Sequence, residues 1–484
     1  MKTVLLLGLT VLFFVSAIAQ PAPDTLWTRT YGGSETDKAN AVQQTADGGY
    51  IVTGYSEISP NAYQAVLIRT SDAGDTLWTR ALSGIGNAIA KSLALSVDGG
   101  YVVAGITWPL SESSSDIFLA KTDSNGDIQW IQTYGSLQND LANSVQQTAD
   151  GGYIVAGFIG SENWVETFHV LKTDSVGNLE WARIYGDNLG WLGEAYTVRQ
   201  TFDNGYIVAG YIIPNSETFP DFLLVKLDSE GDTMWTSAFG GSYSDYAYDV
   251  QQTSDGGYLV AGITDSLSHG AIYNIRLFKT DDHGDTLWTR TIGSSNQEFA
   301  YAMQPSLGGG YILAGDTWSQ SIPDSRYLYA VRINELGETL WTQSYMHRGV
   351  AQAVTLSSDG GYVFAGTKFT NEARYDFLLI KTGPEPQGVN FTNPSAPDRF
   401  TFHPCYPNPF NAATQITYEL PRAENVSLTV YNLLGEQVIS LTDAVQTAGT
   451  HTLTFNGATL SSGLYFARLK TGEFSQTRKL VLLK

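Results

Sequence analysis

The chain has 484 residues, 43% hydrophobic and 15% charged, enough apolar material for a full core and too little charge for disorder along most of its length. Its formal net charge of −21 disfavours phosphate-backbone binding, which needs clustered Lys and Arg, so no nucleic-acid partner is expected. One cysteine rules out internal disulfides and multi-cysteine metal sites, and six histidines with four methionines leave little for metal or haem chemistry, so no metal and no cofactor are expected.

Residues 1–19 read as a secretory signal peptide: Lys2, an apolar run from Val4 to Val15, then Ala17-Ile18-Ala19. The run is shorter than the roughly 20 residues a membrane span needs. Cleavage is expected before Gln20, with no membrane span in the mature chain.

Residues 20–383 form a repeat array. A DGGY-like turn ends at Tyr50, Tyr101, Tyr153, Tyr206, Tyr258, Tyr311 and Tyr362, at intervals of 51, 52, 53, 52, 53 and 51 residues. A tryptophan recurs with it at Trp27, Trp78, Trp130, Trp181, Trp235, Trp288 and Trp341. Each copy reads as four strands, A to D. Gly-Gly or Asn-Gly supplies positive φ between A and B, and a glycine stands at one aligned position between C and D. Strands B and C are almost continuously apolar, as in IVAG and DFLLVK, which suits strands buried on both faces. Seven copies of about 50 residues and four strands predict a seven-bladed β-propeller.

The array opens with a lone D-type strand, Leu26 to Tyr31, and closes on strand C, Phe377 to Lys381, with no D strand after it. The N-terminal strand is therefore expected to complete the last blade and remove an open edge.

Most recurring residues have structural explanations. The tryptophans suit blade packing. Strand C ends in Arg69, Lys121, Lys172, Lys226, Lys279, Arg332 and Lys381, facing Asp47, Asp98, Asp150, Asp203, Asp255 and Asp359 of the A–B turns. These predict a ring of ion pairs, with Gly308 replacing the sixth aspartate. The C–D turn Asp123-Ser124-Asn125-Gly126-Asp127 has too few oxygens for calcium and reads as a hairpin turn. Gly126-Asp127-x-x-Trp130 resembles the tryptophan-docking motif of pyrroloquinoline-quinone dehydrogenase propellers. That resemblance concerns blade packing and carries over no cofactor residue.

Loops B–C and D–A open on the opposite face and vary. The tryptophans outside the repeat, Trp108, Trp164, Trp191 and Trp318, all fall in these loops, beside Tyr63, Phe219 and Tyr273. Before strand A, at one aligned position, stand Asp37, Asp140, Asp245 and Glu298, which are expected to ring the channel mouth. Aromatic rings with carboxylates offer stacking and directed hydrogen bonds to a polar, flat ligand such as a sugar. No G-x-S-x-G elbow and no HExxH occurs, which favours binding over catalysis.

Residues 384–400 are rich in Pro, Gly and Asn and read as a linker. Residues 384–484 are charge-balanced, with seven basic and seven acidic groups, against 19 and 41 in residues 20–383, and the repeat is absent from residues 401–484. Short alternating strands predict a small Ig-like β-sandwich. Tyr406-Pro407-Asn408-Pro409-Phe410-Asn411 is followed by Val430-Tyr431-Asn432-x-x-Gly435, Leu460-x-x-Gly463-x-Tyr465-Phe466 and the ending Lys479 to Lys484. This series resembles the C-terminal sorting domain of the type IX secretion system, with Ala412 where that family often has a second proline. The resemblance implies export through the periplasm, recognition by the type IX machinery, and release or attachment at the cell surface.

The fold class is thus all-β, a seven-bladed β-propeller followed by an Ig-like β-sandwich. The expected function is binding of a glycan or protein ligand through the loop face of an exported monomer. The rivals are a glycoside-active or quinoprotein-like propeller enzyme and a structural surface component.

Overall fold

The structure is a computed structural model. It describes residues 21–386 and 400–483, apart from 109–113, 161–165, 186–191, 214–218, 242, 266–272, 295, 320–325, 371–373, 404, 406–407, 422–423, 447–448 and 473. The expected signal peptide and most of the expected linker lie outside the described residues.

Every described element is a strand. The third copy shows the plan: Asp140–Gln147, Tyr153–Gly160, Glu166–Thr173 and Leu179–Tyr185 form one antiparallel sheet in chain order. Strands B and C are buried along nearly their whole length, and strand D alternates between exposed and half-buried residues. The A strands of successive blades contact one another, so they stand innermost and line the axis. Apolar clusters fill the spaces between successive blades. One of them joins Ala39, Val52 and Ile68 of the first blade to Val363, Phe377 and Leu379 of the last. That cluster closes the ring, and the fold is a seven-bladed β-propeller.

Thr25–Tyr31 pairs antiparallel with Tyr375–Thr382, Trp27 opposite Lys381 and Tyr31 opposite Phe377. The outer strand of the last blade thus comes from the start of the chain. One boundary differs from the four-strand reading. Strand D of the sixth copy and strand A of the seventh are a single strand, Thr339–Leu356, which joins the two blades into one seven-stranded sheet. The segment Ser344-Tyr345-Met346-His347-Arg348 has no glycine or aspartate to turn the chain, so extension continues.

The aligned C–D glycines have two reasons to be glycine. Gly126 has φ of 80°, and a Cβ there would stand 2.6 Å from the Trp78 ring of the preceding blade. The turn and the indole of its neighbour therefore form one packing unit. On the same end, Lys121, Lys172, Lys226, Lys279 and Lys381 pair with Asp98, Asp150, Asp203, Asp255 and Asp359 at 2.8–2.9 Å, and Arg69 with Asp47. The cationic side chains are nearly buried, and each lysine also donates to the carbonyl of the residue after it. In the sixth blade Arg332 pairs instead with Glu385, beyond the last blade, at 2.6 Å.

The tail is a separate β-sandwich. Thr401–Phe402, Ala413–Leu420 and Gly449–Asn456 form one sheet; Gln437–Gln446, Glu424–Asn432, Gly463–Thr471 and Phe474–Leu482 form the other. Phe402, Phe410, Ile416, Tyr418, Val430, Phe455 and Leu480 fill the space between them, with Cys405 buried beside them. Burial pushes the Cys405 thiol up to about 12, which keeps it an unreactive apolar side chain.

Candidate functional site

The loop-face residues fall into three groups. Trp108 and Trp318 end the B strands Tyr101–Trp108 and Tyr311–Trp318. Trp108 is half-buried and Trp318 is 41% exposed. Trp164 and Trp191 lie outside the described residues. The four carboxylates require a correction. Asp37, Asp140, Asp245 and Glu298 are at most 5% exposed and do not ring the mouth. Each accepts the backbone amide four residues before it, from Gly33, Ser136, Gly241 and Ser294. They brace the D–A loops from below. Burial raises the carboxyls of Asp140, Asp245 and Glu298, and those amide hydrogen bonds oppose the rise.

What faces the axis is set by a bulge. Strand A of every blade slips register by one residue just past an alanine: Ala39, Ala90, Ala142, Ala195, Ala247, Ala300 and Ala351. The alanines are fully buried. The bulged residue after each is Asn40, Lys91, Asn143, Tyr196, Tyr248, Tyr301 and Gln352, all half-buried. A bulge re-aims one side chain out of the ladder, and on the innermost strand that direction is the channel. Inter-blade contacts fit this: Asn40 donates to the Ala90 carbonyl of the next blade at 2.6 Å, and Asn143 to Glu194 at 2.7 Å.

Blades four to six turn this ring into an aromatic wall. Tyr196 and Tyr248 have ring centroids 4.9 Å apart, and Tyr248 and Tyr301 are 5.1 Å apart. Tyr211 and Tyr246 are 5.1 Å apart and Phe299 lies 5.9 Å from Tyr301, extending the wall towards the loop face. Tyr273 adds an edge at 5.5 Å from Phe299. Tyr63 instead packs on Tyr55 in the first blade, and Phe219 stands 43% exposed near Tyr243.

Charges complete the site. Glu194 is raised by burial, against the pull of its Asn143 hydrogen bond and the Lys91 charge. Lys91 is lowered by burial, and Lys38 by burial and by the nearby Lys91 and Arg326 charges. Lys38 Nζ lies 4.3 Å from the centre of the Tyr375 ring. Arg326 binds the buried Asp316 through two hydrogen bonds, at 2.6 and 3.0 Å, and reaches the Tyr301 hydroxyl at 3.2 Å. Sequence reasoning misses the bulged residues because it looks for binding groups in loops. The available signal is an alanine shared by all seven copies and followed by a position of changing chemistry.

A cluster of metal-ligating types occurs elsewhere, at Asp281, Asp282 and His283 in the fifth C–D turn. The Asp281 carboxylate accepts the amides of His283 and Asp285, both at 2.9 Å, and His283 Nδ1 meets Asp282 at 2.6 Å. Asp123 holds its turn the same way, through the amides of Asn125 and Asp127. These aspartates fold their own hairpins.

In the tail, the Asn408 amide donates to the Lys479 carbonyl at 2.8 Å and accepts from Val481 at 2.7 Å. Phe410 bridges Leu482 in parallel. The start of the motif series therefore binds the last strand. Gly435, with φ of 80°, turns the hairpin whose amides Asn432 accepts. Gly463 and Lys479 are exposed, Pro409 and Asn411 flank Phe410, and Tyr406, Pro407 and Lys484 lie outside the described residues.

Among curated proteins, the chain is 30% identical over 141 residues to the regulatory protein FlaEY of Caulobacter vibrioides. That match covers 26% of this chain and 15% of that protein. Among solved structures it is similar to PorZ, a surface component of the type IX secretion system of Porphyromonas gingivalis, at 10% identity and a TM-score of 0.23. That similarity covers 93% of this chain and 82% of PorZ. A protein of unknown function from Bacteroides caccae is similar over 62% of this chain and 94% of its own, at 12% identity and a TM-score of 0.39. A puromycin hydrolase is similar over 80% of this chain and 59% of its own, at 12% identity and a TM-score of 0.47. Among the described residues no helix is long and apolar enough to cross a membrane. Residues 404–483 match the secretion system C-terminal sorting domain. The chain is therefore a β-propeller exported to the cell surface or secreted, and the type IX secretion machinery is the partner of its tail.

Proposed function

We propose that the propeller binds a glycan at the loop-face mouth of its central channel. The observation that carries this reading is the aromatic wall of Tyr196, Tyr248 and Tyr301, which extends through Tyr246 and Phe299 towards the loops. Sugars present flat apolar faces edged by hydroxyls, and half-buried tyrosines match both features. Asn40, Asn143 and Gln352 supply amides on the same ring. Trp108 and Trp318, at the loop ends of their strands, are proposed as rim contacts. Export by the sorting tail brings such a site to polysaccharides outside the cell.

A glycan array probed with the full-length secreted protein tests this reading. Binding to a saccharide subset, lost in Tyr248→Ala, is the expected result. An array with no saccharide bound overturns it.

A further inference from the structure

We infer that the mouth selects a saccharide bearing a carboxylate, through a cationic arc that faces the aromatic wall. This rests on the saccharide reading above and specifies its ligand. The arc emerges when the propeller's cations are sorted by position. Residues 20–383 carry 19 Lys and Arg against 41 Asp and Glu. Seven of the 19 end the C strands and pair at the A–B turns or, for Arg332, with Glu385. Arg29, Arg80, Arg183 and Arg290 lie over the repeat tryptophans of the same end.

Eight cations remain, and six of them lie on four consecutive blades, five at the loop end and Lys91 at the bulge of its strand A. Arg326 opens strand C of the sixth blade. Arg348 and Lys368 lie at the loop end of the seventh, and Arg374 immediately precedes its strand C. Lys38 and Lys91 follow on strand A of the first two blades. In a strongly acidic propeller, a one-sided grouping of this kind focuses an attractive field for anions at the mouth.

Two contacts and one electrostatic interaction tie the arc to the wall. Arg326 reaches Tyr301 at 3.2 Å. Phe299 lies beneath the Arg326 guanidinium, 6.0 Å from it. Lys91 acts electrostatically on Glu194, the neighbour of Tyr196 on strand A. A sugar ring stacked on the wall would therefore carry its substituents towards Lys38 and Lys91. Burial lowers the pKa of both ammonium groups, and the Lys91 and Arg326 charges lower that of Lys38 further. A carboxylate between them relieves both effects. A neutral sugar relieves neither.

The test is titration calorimetry of the full-length secreted protein. One set of probes is oligogalacturonate, oligomannuronate, heparosan and polysialic acid; the other is cellohexaose, laminarihexaose, chitohexaose and the methyl ester of oligogalacturonate. At least one carboxylated probe is expected to bind at least 10-fold more tightly than every neutral probe, with affinity falling as salt rises. Lys91→Met and Lys38→Met are each expected to weaken that binding at least 10-fold while the melting temperature stays near the parent's. Binding of neutral probes without preference for carboxylated ones overturns the inference and leaves the saccharide reading standing. Binding of neither set overturns both. Should one lysine variant fail to fold, the other variant and the salt series decide.

Discussion

Arg332 Nε donates to Glu385 Oε1 at 2.6 Å, joining the sixth blade to a residue three positions beyond the last propeller strand. The same carboxylate accepts the Tyr362 hydroxyl. In the other six blades the partner is an aspartate two residues before the turn's second glycine or its equivalent, and in the sixth that position is Gly308. The guanidinium is 1% exposed, and removing one partner of a buried ion pair costs about 3–5 kcal/mol because the other is left uncompensated. Glu385→Ala is therefore expected to lower the melting temperature markedly. A Cβ on Gly308 would stand 3.7 Å from Arg332, so Gly308→Asp is expected to restore much of the loss in the double variant. A double variant no more stable than Glu385→Ala would show that the ion pair is not what holds this blade.

Ring closure gives the second prediction. Deleting residues 20–31 removes the strand paired with Tyr375–Thr382 and leaves that edge open. Trp27, which stands over Gly74 of the first C–D turn, is lost with it. A fall on the order of 10 °C in melting temperature, or aggregation, is expected. Thermal melts of the deletion variant check this, and a parent-like melt would contradict it.

The tryptophans divide by position. Trp341 is 4% exposed between the sixth and seventh blades, and Trp318 is 41% exposed at the loop end. Trp341→Ala is expected to cost about 3–5 kcal/mol, and Trp318→Ala less than about 0.5 kcal/mol. Denaturant unfolding of both variants measures the difference. Equal losses would make Trp318 a packing residue and remove it from the proposed rim.

His169 sets an acid dependence. It is 6% exposed, lines a cavity of about 130 Å³ with Tyr134 and Ile159, and burial pushes it down to about 4. A histidine buried neutral contributes stability that is whole above its unfolded value near 6.5. That contribution is lost as pH falls towards 4, by up to about 3 kcal/mol. The six A–B turn aspartates, held low by their hydrogen bonds and cations against burial, add a loss of the same sign at lower pH. His169→Gln is expected to lose less melting temperature than the parent between pH 7.5 and 4.5. Identical losses would contradict the assignment.

The repeat was legible because it fixes local chemistry. The DGGY turns, the C–D glycines and the tryptophans recur for reasons confined to one blade and its neighbour, and spacing alone exposes them. The motif series from Tyr406 to Lys484 was legible differently, through its resemblance to a known family of sorting domains. Three features were not. Glu385 lies outside the repeat, so no alignment of the copies connects it to Arg332. The continuous strand Thr339–Leu356 depends on the absence of a turn residue, a weaker signal than the presence of one. The channel-facing tyrosines depend on a one-residue bulge. It takes Tyr248 out of the pairing between Ala247 and Asp249, which the simple alternation of strand A does not announce.

Carbohydrate binding at the mouth is the central claim, and a side-by-side titration of the parent and Tyr248→Ala with the saccharide bound on the array tests it most directly. Tyr248 sits at the middle of the wall, between Tyr196 and Tyr301, and a central aromatic contact contributes about 2 kcal/mol or more. The account predicts at least a ~30-fold loss of affinity in Tyr248→Ala with a melting temperature near the parent's. Unchanged affinity in a folded Tyr248→Ala would contradict it.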